Sequence, residues 1–248
     1  MTAAGDHRIV ELRRYRLHPG ARDVLIELFD RELVESQEAV GIDVIGQFRD
    51  LDDPDRFVWL RGFPDLESRR SALGSFYGGP VWKEHRDAAN ATMVDSDDVL
   101  LLRPPRAGSD FPATNARRPE PGLNDASGGL VVATTYSFDR PVDADFLDFF
   151  EGTLARAAED AGASVLAYLV TESGPNTFPA LPVREGENVF VWFSGFADRE
   201  AYDRHVAALE RSDRRCEVAE GLRRHIGEAP EVSRLAPTTR SLLRWPVS

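Results

Sequence analysis

The chain has 248 residues, of which 42% are hydrophobic and 29% charged, a composition typical of a globular protein. Its formal net charge of -12 argues against nucleic acid as a partner, because phosphate binding requires clustered Lys and Arg. The sequence contains neither a long apolar run nor a signal-like first segment, so we expect a cytoplasmic protein without membrane contact. Its single cysteine, Cys216, excludes an intramolecular disulfide, and no Cys/His pair has zinc-ligand spacing.

Taken in chain order, the first part of the sequence predicts strand, helix, strand, strand, helix, strand. Residues 8–17 alternate in the manner of a strand, and residues 20–40 carry an apolar stripe at helical spacing. A turn rich in Asp precedes the third strand, and Asp65 can cap the helix that follows it. The predicted elements are a strand at 8–17, a helix at 20–40, strands at 42–49 and 56–63, a helix after Asp65 and a strand at 97–103.

The same order returns after a stretch rich in Pro, Gly, Asn, Arg and Asp, which has no periodicity and predicts a linker. The elements predicted beyond it are a strand at 129–138, a helix at 143–162, strands at 164–172 and 188–196, helices through 198–226 and a strand at 238–245. We therefore divide the chain into repeat 1 at 1–105, a linker at 106–128 and repeat 2 at 129–248.

The two halves also align residue by residue. The segment Phe57–Glu67 aligns without a gap to Phe190–Glu200, with Phe, Val, Trp, Gly, Phe, Asp and Glu identical. The offset is 133 residues there but 121 between Tyr15 and Tyr136, so repeat 2 carries 133 − 121 = 12 extra residues. They fit at 174–186, and a loop of that length in a compact domain indicates a functional or mobile segment.

The order β-α-β-β-α-β is typical of the ferredoxin-like unit, whose two helices cover one face of an antiparallel sheet. The other face is left bare, and an apolar sheet face must be covered. A second copy on the same chain is the obvious cover. We predict an α+β fold in which two tandem ferredoxin-like units pack sheet to sheet around a barrel-like core, with the helices outside.

Charged residues stand in the predicted central strands of repeat 1. Glu11, Arg13 and Tyr15 share one face of the first strand, and Trp59 and Arg61 share one face of the third. An unpaired buried charge is costly, so this group is either a salt bridge within an aromatic core or an anion-binding pocket. The charged positions become neutral in repeat 2, at Val132, Thr134 and Ser194.

A further candidate lies on the last helix of repeat 1. His85 follows Trp82 by one turn, on a helix expected to face the sheet, and could act as a general base at neutral pH. The alternatives are a structural or surface histidine and a metal or haem ligand. The predicted catalytic residues are His85, Arg61 and Tyr15, and the predicted substrate-binding residues are Arg13, Trp59, Trp82 and Glu11, with no metal.

The opening segment Glu11–Gly20, ELRRYRLHPG, resembles the start of the NIPSNAP family, whose members begin with a similar Glu-Leu-Arg-x-Tyr followed by Pro-Gly. The segments Phe63–Arg69 and Gly79–Trp82 are also similar to that family, so the resemblance spans residues 8–105. It implies a dimeric α/β barrel, here formed within one chain. The wider barrel group includes cofactor-independent monooxygenases, haem enzymes, lactone isomerases and stress-responsive proteins.

From this resemblance we expect a bacterial enzyme of small-molecule metabolism, a cofactor-independent oxygenase or an isomerase/cyclase, acting on an aromatic or polyketide-like substrate. The alternative is a non-catalytic small-molecule-binding or scaffold protein, which an exposed apolar patch rather than a pocket would favour, whereas a fully packed sheet-to-helix interior would count against the enzyme. We expect no cofactor, with haem as the alternative. The expected partner is a small-molecule ligand, and a homodimer is compatible with the fold.

Overall fold

The computed structural model describes residues 7–112, 117–122 and 129–246. Repeat 1 contains β1 (Ile9–Leu17), α1 (Arg22–Leu28), the π-helical turn π1 (Phe29–Leu33), α2 (Val34–Glu38), β2 (Asp43–Asp50), β3 (Arg56–Phe63), α3 (Leu66–Tyr77), α4 (Pro80–Asn90), β4 (Met93–Asp95) and β5 (Val99–Arg103). Repeat 2 contains β6 (Leu130–Phe138), α5 (Ala144–Phe149), π2 (Phe150–Leu154), α6 (Ala155–Asp160), β7 (Ser164–Thr171), β8 (Asn188–Phe196), α7 (Arg199–Arg211), α8 (Arg215–His225) and β9 (Glu231–Pro237). None of these helices is long and apolar enough to cross a membrane.

The strands form one closed antiparallel barrel. Within the repeats the strand orders are β2-β3-β1-β5 and β7-β8-β6-β9, as the ferredoxin-like prediction requires. The two sheets join where β2 pairs with β9 and β5 pairs with β7, which closes a ring of eight strands. The short β4 adds to the end of β1. The predicted fold class is confirmed.

The interior of the barrel is a packed apolar core. The alternation along the central strands sends the same apolar positions of both repeats inward, and each of these side chains is at most 5% exposed. The equivalent pairs are Val10 with Val131, Leu12 with Ala133, Val58 with Val191, and Leu60 with Phe193. The outward face of each sheet packs against the helices of its own repeat. The barrel is therefore filled by side chains, and space for a ligand must lie elsewhere.

The repeats share local irregularities as well as elements. The π-helical turns begin at Phe29 and Phe150, an offset of 121 residues. Asp65 caps α3 by accepting from the Ser68 amide, and Asp198 caps α7 by accepting from the Ala201 amide, as the sequence predicts for both. π-Turns are rare, so their duplication supports a common origin of the two units.

The predicted strand at 238–245 is wrong. The closing strand is β9, Glu231–Pro237, which pairs with β6 and β2. Pro237 has no N–H to donate, and regular pairing stops beyond it after a last bond from the Thr238 amide to Gln47 O at 2.8 Å. The apolar residues that suggested a strand cover the barrel core instead, with Leu243 buried in it and Trp245 packed against it.

The segment that follows β5 also contributes to the barrel. Phe111 is buried in the barrel core, with its ring centroid 4.9 Å from that of Phe193. The carbonyl oxygen of Ser109 accepts from the Tyr168 amide at 2.9 Å. In its described parts, 104–112 and 117–122, the connection between the repeats forms no helix or strand but helps to close the barrel.

His7 packs against β3 at the start of the fold. A Cβ atom at Gly62 would come within 2.3 Å of its imidazole ring, so any larger residue there would displace the ring. Its Nε2 lies 2.6 Å from a carboxylate oxygen of Asp43, and Asp110 accepts from its backbone amide at 2.9 Å. Burial alone would lower the pKa of His7, but the two carboxylates outweigh burial and raise the pKa from 6.5 to about 9.

This pair makes stability depend on pH. Because the pKa of His7 is raised on folding, its contribution is fully present below pH 6.5 and is lost as the pH rises through about 9. We expect His7→Gln to lower the free energy of unfolding by up to about 3 kcal/mol at pH 6 and by much less at pH 9.5. Urea titrations of both proteins at the two pH values measure this, with the exposed His18→Gln as control. An equal loss at both pH values would show that the charge of His7 is irrelevant.

Candidate functional site

The charged residues of β1 and β3 lie together on the side of the sheet that faces the helices. Glu11 stands opposite Arg61, and Arg13 stands opposite Trp59. All four are at most 2% exposed. Tyr15 lies on the same face, and its ring makes an edge contact with Trp59 at 6.0 Å. The shared face predicted from alternation is therefore the one observed.

One carboxylate holds three arginines. Glu11 Oε2 accepts from Arg13 Nη1 at 2.6 Å and from Arg61 Nε at 2.8 Å. Glu11 Oε1 accepts from Arg69 Nε at 2.6 Å. We call Glu11, Arg13, Arg61 and Arg69 the arginine cluster. Its formal charge is 3 − 1 = +2, and every side chain in it is at most 2% exposed.

Arg69 was not predicted. It lies on α3, and the buried residues that follow it at helical spacing, Ala72, Leu73 and Phe76, place it on the stripe that faces the core. An arginine on the apolar stripe of a helix is the signal that could have identified it. The carboxylate that it meets is on β1, a contact that the sequence pattern of α3 does not contain.

The positive excess is only partly compensated by other groups. The guanidinium of Arg61 lies 5.1 Å from the centroid of the Trp59 ring, and that of Arg13 lies 5.6 Å from it. Arg61 Nη1 makes long contacts of 3.4 Å with Gln37 Oε1 and Tyr77 Oη. Among the described residues, Nη2 of Arg69 has no hydrogen-bond partner. A buried excess of positive charge with an unused donor favours an anion.

The ionisable groups of the site are held in fixed protonation states. Burial disfavours the Glu11 carboxylate, but the charges of Arg61, Arg13 and Arg69 outweigh it and hold the pKa of Glu11 well below its usual range. Burial raises the pKa of Tyr15, although Arg13 Nε donates to its hydroxyl oxygen at 3.0 Å. At neutral pH Glu11 is therefore ionised and Tyr15 is neutral, so neither is suited to move a proton.

Repeat 2 covers this site with the connection between β7 and β8, residues 172–187, which we call the strap. Arg69 Nη1 donates to Asn176 Oδ1 at 3.1 Å and to Thr177 Oγ1 at 3.2 Å. The ring of Phe178 stacks on that of Tyr77 with centroids 6.0 Å apart. The loop predicted to be functional or mobile thus completes the site of the other repeat, a contact that sequence alone does not reveal.

Trp82 belongs to this aromatic cover, whereas His85 stands apart from the arginine cluster. The Trp82 ring makes an edge contact with Tyr77 at 5.0 Å. His85 Nε2 lies 3.6 Å from Glu32 Oε2, and within the described chain His85 has no hydrogen bond or ion pair with the cluster. This geometry gives no support to His85 as a base or a haem ligand. No group of three or more described His, Cys, Asp and Glu residues is arranged to hold a metal ion.

The equivalent place in repeat 2 is neutral. The counterparts of Glu11, Arg13 and Arg61 are the buried side chains Val132, Thr134 and Ser194. Tyr202 takes the position of Arg69 at the offset of 133. The surrounding core is aromatic and aliphatic. The sequence difference between the repeats therefore leaves a charged site in only one of them.

Two cavities lie near the strap and the barrel end. One, of about 430 Å³, is bounded by both ends of the strap and by Leu101, the residue opposite Glu11 in the pairing of β1 and β5. Its volume is within the range of small-molecule sites. A wider groove of about 1400 Å³ runs past His7, Phe111 and Trp245. Neither is lined by Arg13, Arg61 or Arg69.

Comparison with known proteins agrees with the fold. The family model described as NIPSNAP matches residues 10–106. A candidate monooxygenase from Lactobacillus acidophilus is similar with a TM-score of 0.54 and 16% identity over 92% of this chain and 93% of its own. A candidate monooxygenase from Fusobacterium nucleatum (TM-score 0.56, 10% identity, 96% and 94% covered) and an anthrone oxidase-like protein (0.54, 13%, 96% and 94%) are also similar. Such identities show a shared fold alone. No curated protein matches the sequence.

The charge imbalance of the cluster generates a stability prediction. Glu11→Gln leaves three buried arginines without a counter-ion, and we expect it to lower the free energy of unfolding by about 3–5 kcal/mol. Arg13→Gln should cost less, because Arg61 and Arg69 still neutralise Glu11. Urea titration at pH 7 measures both, with Thr134→Ala at the equivalent position of repeat 2 as control. A larger loss for Arg13→Gln would mean that the cluster holds no excess charge.

Proposed function

We propose that this chain, whose residues 10–106 form a NIPSNAP domain, binds an anionic aromatic small molecule at the arginine cluster and oxygenates it without a metal or cofactor. The observation that carries the proposal is the sharing of the single Glu11 carboxylate by three buried arginines. A second anion would bring the charge of this site closer to zero.

The chemistry of the lining supports an aromatic anion. Guanidinium groups bind carboxylate, phenolate and enolate oxygens through paired N–H donors. Aromatic rings offer flat apolar surfaces at the same place, provided by Trp59, Tyr77, Trp82 and Phe178. A flat molecule with one ionised oxygen matches both features.

The reaction type is supported by the names of the fold relatives, two candidate monooxygenases and an anthrone oxidase-like protein. In such an oxygenation a CH₂ group and O₂ give a C=O group and water, so dioxygen is the oxidant and the substrate is oxidised. The arginines would stabilise the enolate or phenolate from which the electrons are taken. Because Glu11 is a poor base here, the ligand ionises when the cluster lowers its pKa, and the proton goes to solvent. An isomerase/cyclase would need a proton shuttle that this group does not provide.

A non-catalytic binding or scaffold protein is the second candidate. The observation that favours it is the packed interior, since Glu11, Arg61 and Arg69 have no exposed surface. Both candidates share the anion site and differ only in turnover. They can therefore be separated by measuring binding and oxygen uptake on the same protein.

The proposal predicts anion-selective binding in repeat 1. We expect 1-naphthoate to raise the melting temperature of the wild type while neutral 1-naphthamide does not, because only a ligand that prefers the folded state stabilises it. Arg61→Gln should weaken binding at least about tenfold, as expected for loss of one charge-assisted contact. Ser194→Ala, its counterpart in repeat 2, and His85→Ala should bind like the wild type.

Oxygen uptake then separates the two candidates. With 9-anthrone as substrate, an oxygenase consumes O₂ and loses this activity in Arg61→Gln. Binding without uptake identifies the non-catalytic alternative. If the wild type shows no shift with any aromatic carboxylate or phenol, and Arg61→Gln only lowers the melting temperature, the arginine cluster is structural and the proposed site is wrong.

A further inference from the structure

The strap belongs to repeat 2 but is bound to repeat 1 along its length. Near its ends, the Glu172 amide donates to Leu101 O and the Arg184 amide donates to Val99 O, each at 2.8 Å, so both anchor on β5. In its middle, Phe178 and Leu181 pack on the helix-side core of repeat 1. The twelve extra residues of repeat 2 therefore pack against repeat 1.

The contact between the strap and the arginine cluster is made by neutral groups. Asn176 Oδ1 and Thr177 Oγ1 both accept from Nη1 of the fully buried Arg69. Amide and hydroxyl oxygens are weaker partners for a guanidinium than an ionised oxygen. They occupy the donor face that a carboxylate or phenolate would use, and Nη2 of Arg69 has no hydrogen-bond partner in the described chain.

The reciprocal connection shows that this cover is specific to repeat 1. The pseudo-symmetric counterpart of the strap is the short turn between β2 and β3, which contacts repeat 2 at its closing strand. There the Leu51 amide donates to Arg234 O at 2.8 Å, and Asp52 pairs with Arg234. The neutral repeat thus lacks a strap, and the charged repeat has one.

We propose that the strap is a latch on the anion site, in which Asn176 and Thr177 hold Arg69 in place of the ligand's ionised oxygen. This inference rests on the proposed function, because it assumes that an anion binds at the cluster. The ligand anion displaces the two neutral acceptors, and Phe178 leaves its stacked position on Tyr77 to admit the aromatic ring. A cavity of about 430 Å³ lies between the two ends of the strap, next to the segment that would move.

The latch can be tested without a ligand by hydrogen exchange measured by mass spectrometry. Arg69→Gln removes the charged donor, and we expect exchange of the amides in 174–182 to become at least about tenfold faster as the strap opens more often. The control is Arg70→Gln, since Arg70 is exposed and pairs with Glu67 rather than with the strap. Unchanged exchange in Arg69→Gln would overturn the latch.

A second variant guards against loss of folding. If Arg69→Gln also loses protection from exchange in β6, the variant has been destabilised globally. The test then uses the double variant Asn176→Ala/Thr177→Ala, because both residues are only half-buried. That double variant should show the same faster exchange in 174–182 with β6 unchanged. If the strap of the double variant exchanges like that of the wild type, the two contacts do not hold it and the proposal fails.

The kinetic arm uses 1-naphthoate with tryptophan fluorescence in a stopped-flow instrument. A latch limits access, so the association rate constant should rise at least about fivefold in Asn176→Ala/Thr177→Ala, as expected when a closed form limits binding. Ser173→Ala, on the exposed start of the strap, should associate like the wild type. An equal or slower rate in the double variant would overturn gating. If the wild type binds no 1-naphthoate, the proposed function fails, and hydrogen exchange alone decides whether the strap is held by Arg69.

Discussion

Barrel closure is the constraint on which the rest of this structure depends. Each sheet has one face covered by its own helices, and its other apolar face is buried only when β2 meets β9 and β5 meets β7. The second junction is short, with Leu102 opposite Thr171 and Arg103 opposite Val170. It nevertheless determines where the chain leaves β7, which is beside β5 and above the helix side of repeat 1. The position of the strap is thus a consequence of closure.

Closure also separates the part of the molecule that provides stability from the part that carries charge. Alternation along β1 sends Val10 and Leu12 into the barrel and Glu11 and Arg13 to the opposite face. The barrel core and the sheet-to-helix core of repeat 2 are almost entirely apolar, and burial of that surface stabilises the fold whatever the charge in repeat 1. The buried charges of repeat 1 can persist because the apolar cores in the rest of the chain stabilise the fold.

The features set by local pattern could be predicted from the sequence, and those set by contacts between distant elements could not. The strand order and the barrel follow from three sequence patterns: the alternation along the strands, the helix caps at Asp65 and Asp198, and the internal repeat. The last strand was misplaced because apolar residues near Leu243 resemble a strand, while Pro237 determines where pairing ends. Arg69 and the strap were missed as site components because they meet Glu11 and the cluster only after the helices and the second repeat have packed.

Fusion of the two units explains why the site is asymmetric. In a homodimer of identical chains, any insertion between the second and third strands would cover both helix faces, and any charged cluster would occur twice. A single chain permits the two changes to be divided, so that repeat 1 keeps Glu11 and its arginines while repeat 2 lengthens the segment that reaches them. The neutral positions Val132, Thr134 and Ser194 are buried and carry no cost of buried charge. The charged residues and the strap that covers them have diverged on different repeats, and closure of one barrel is what brings them into contact.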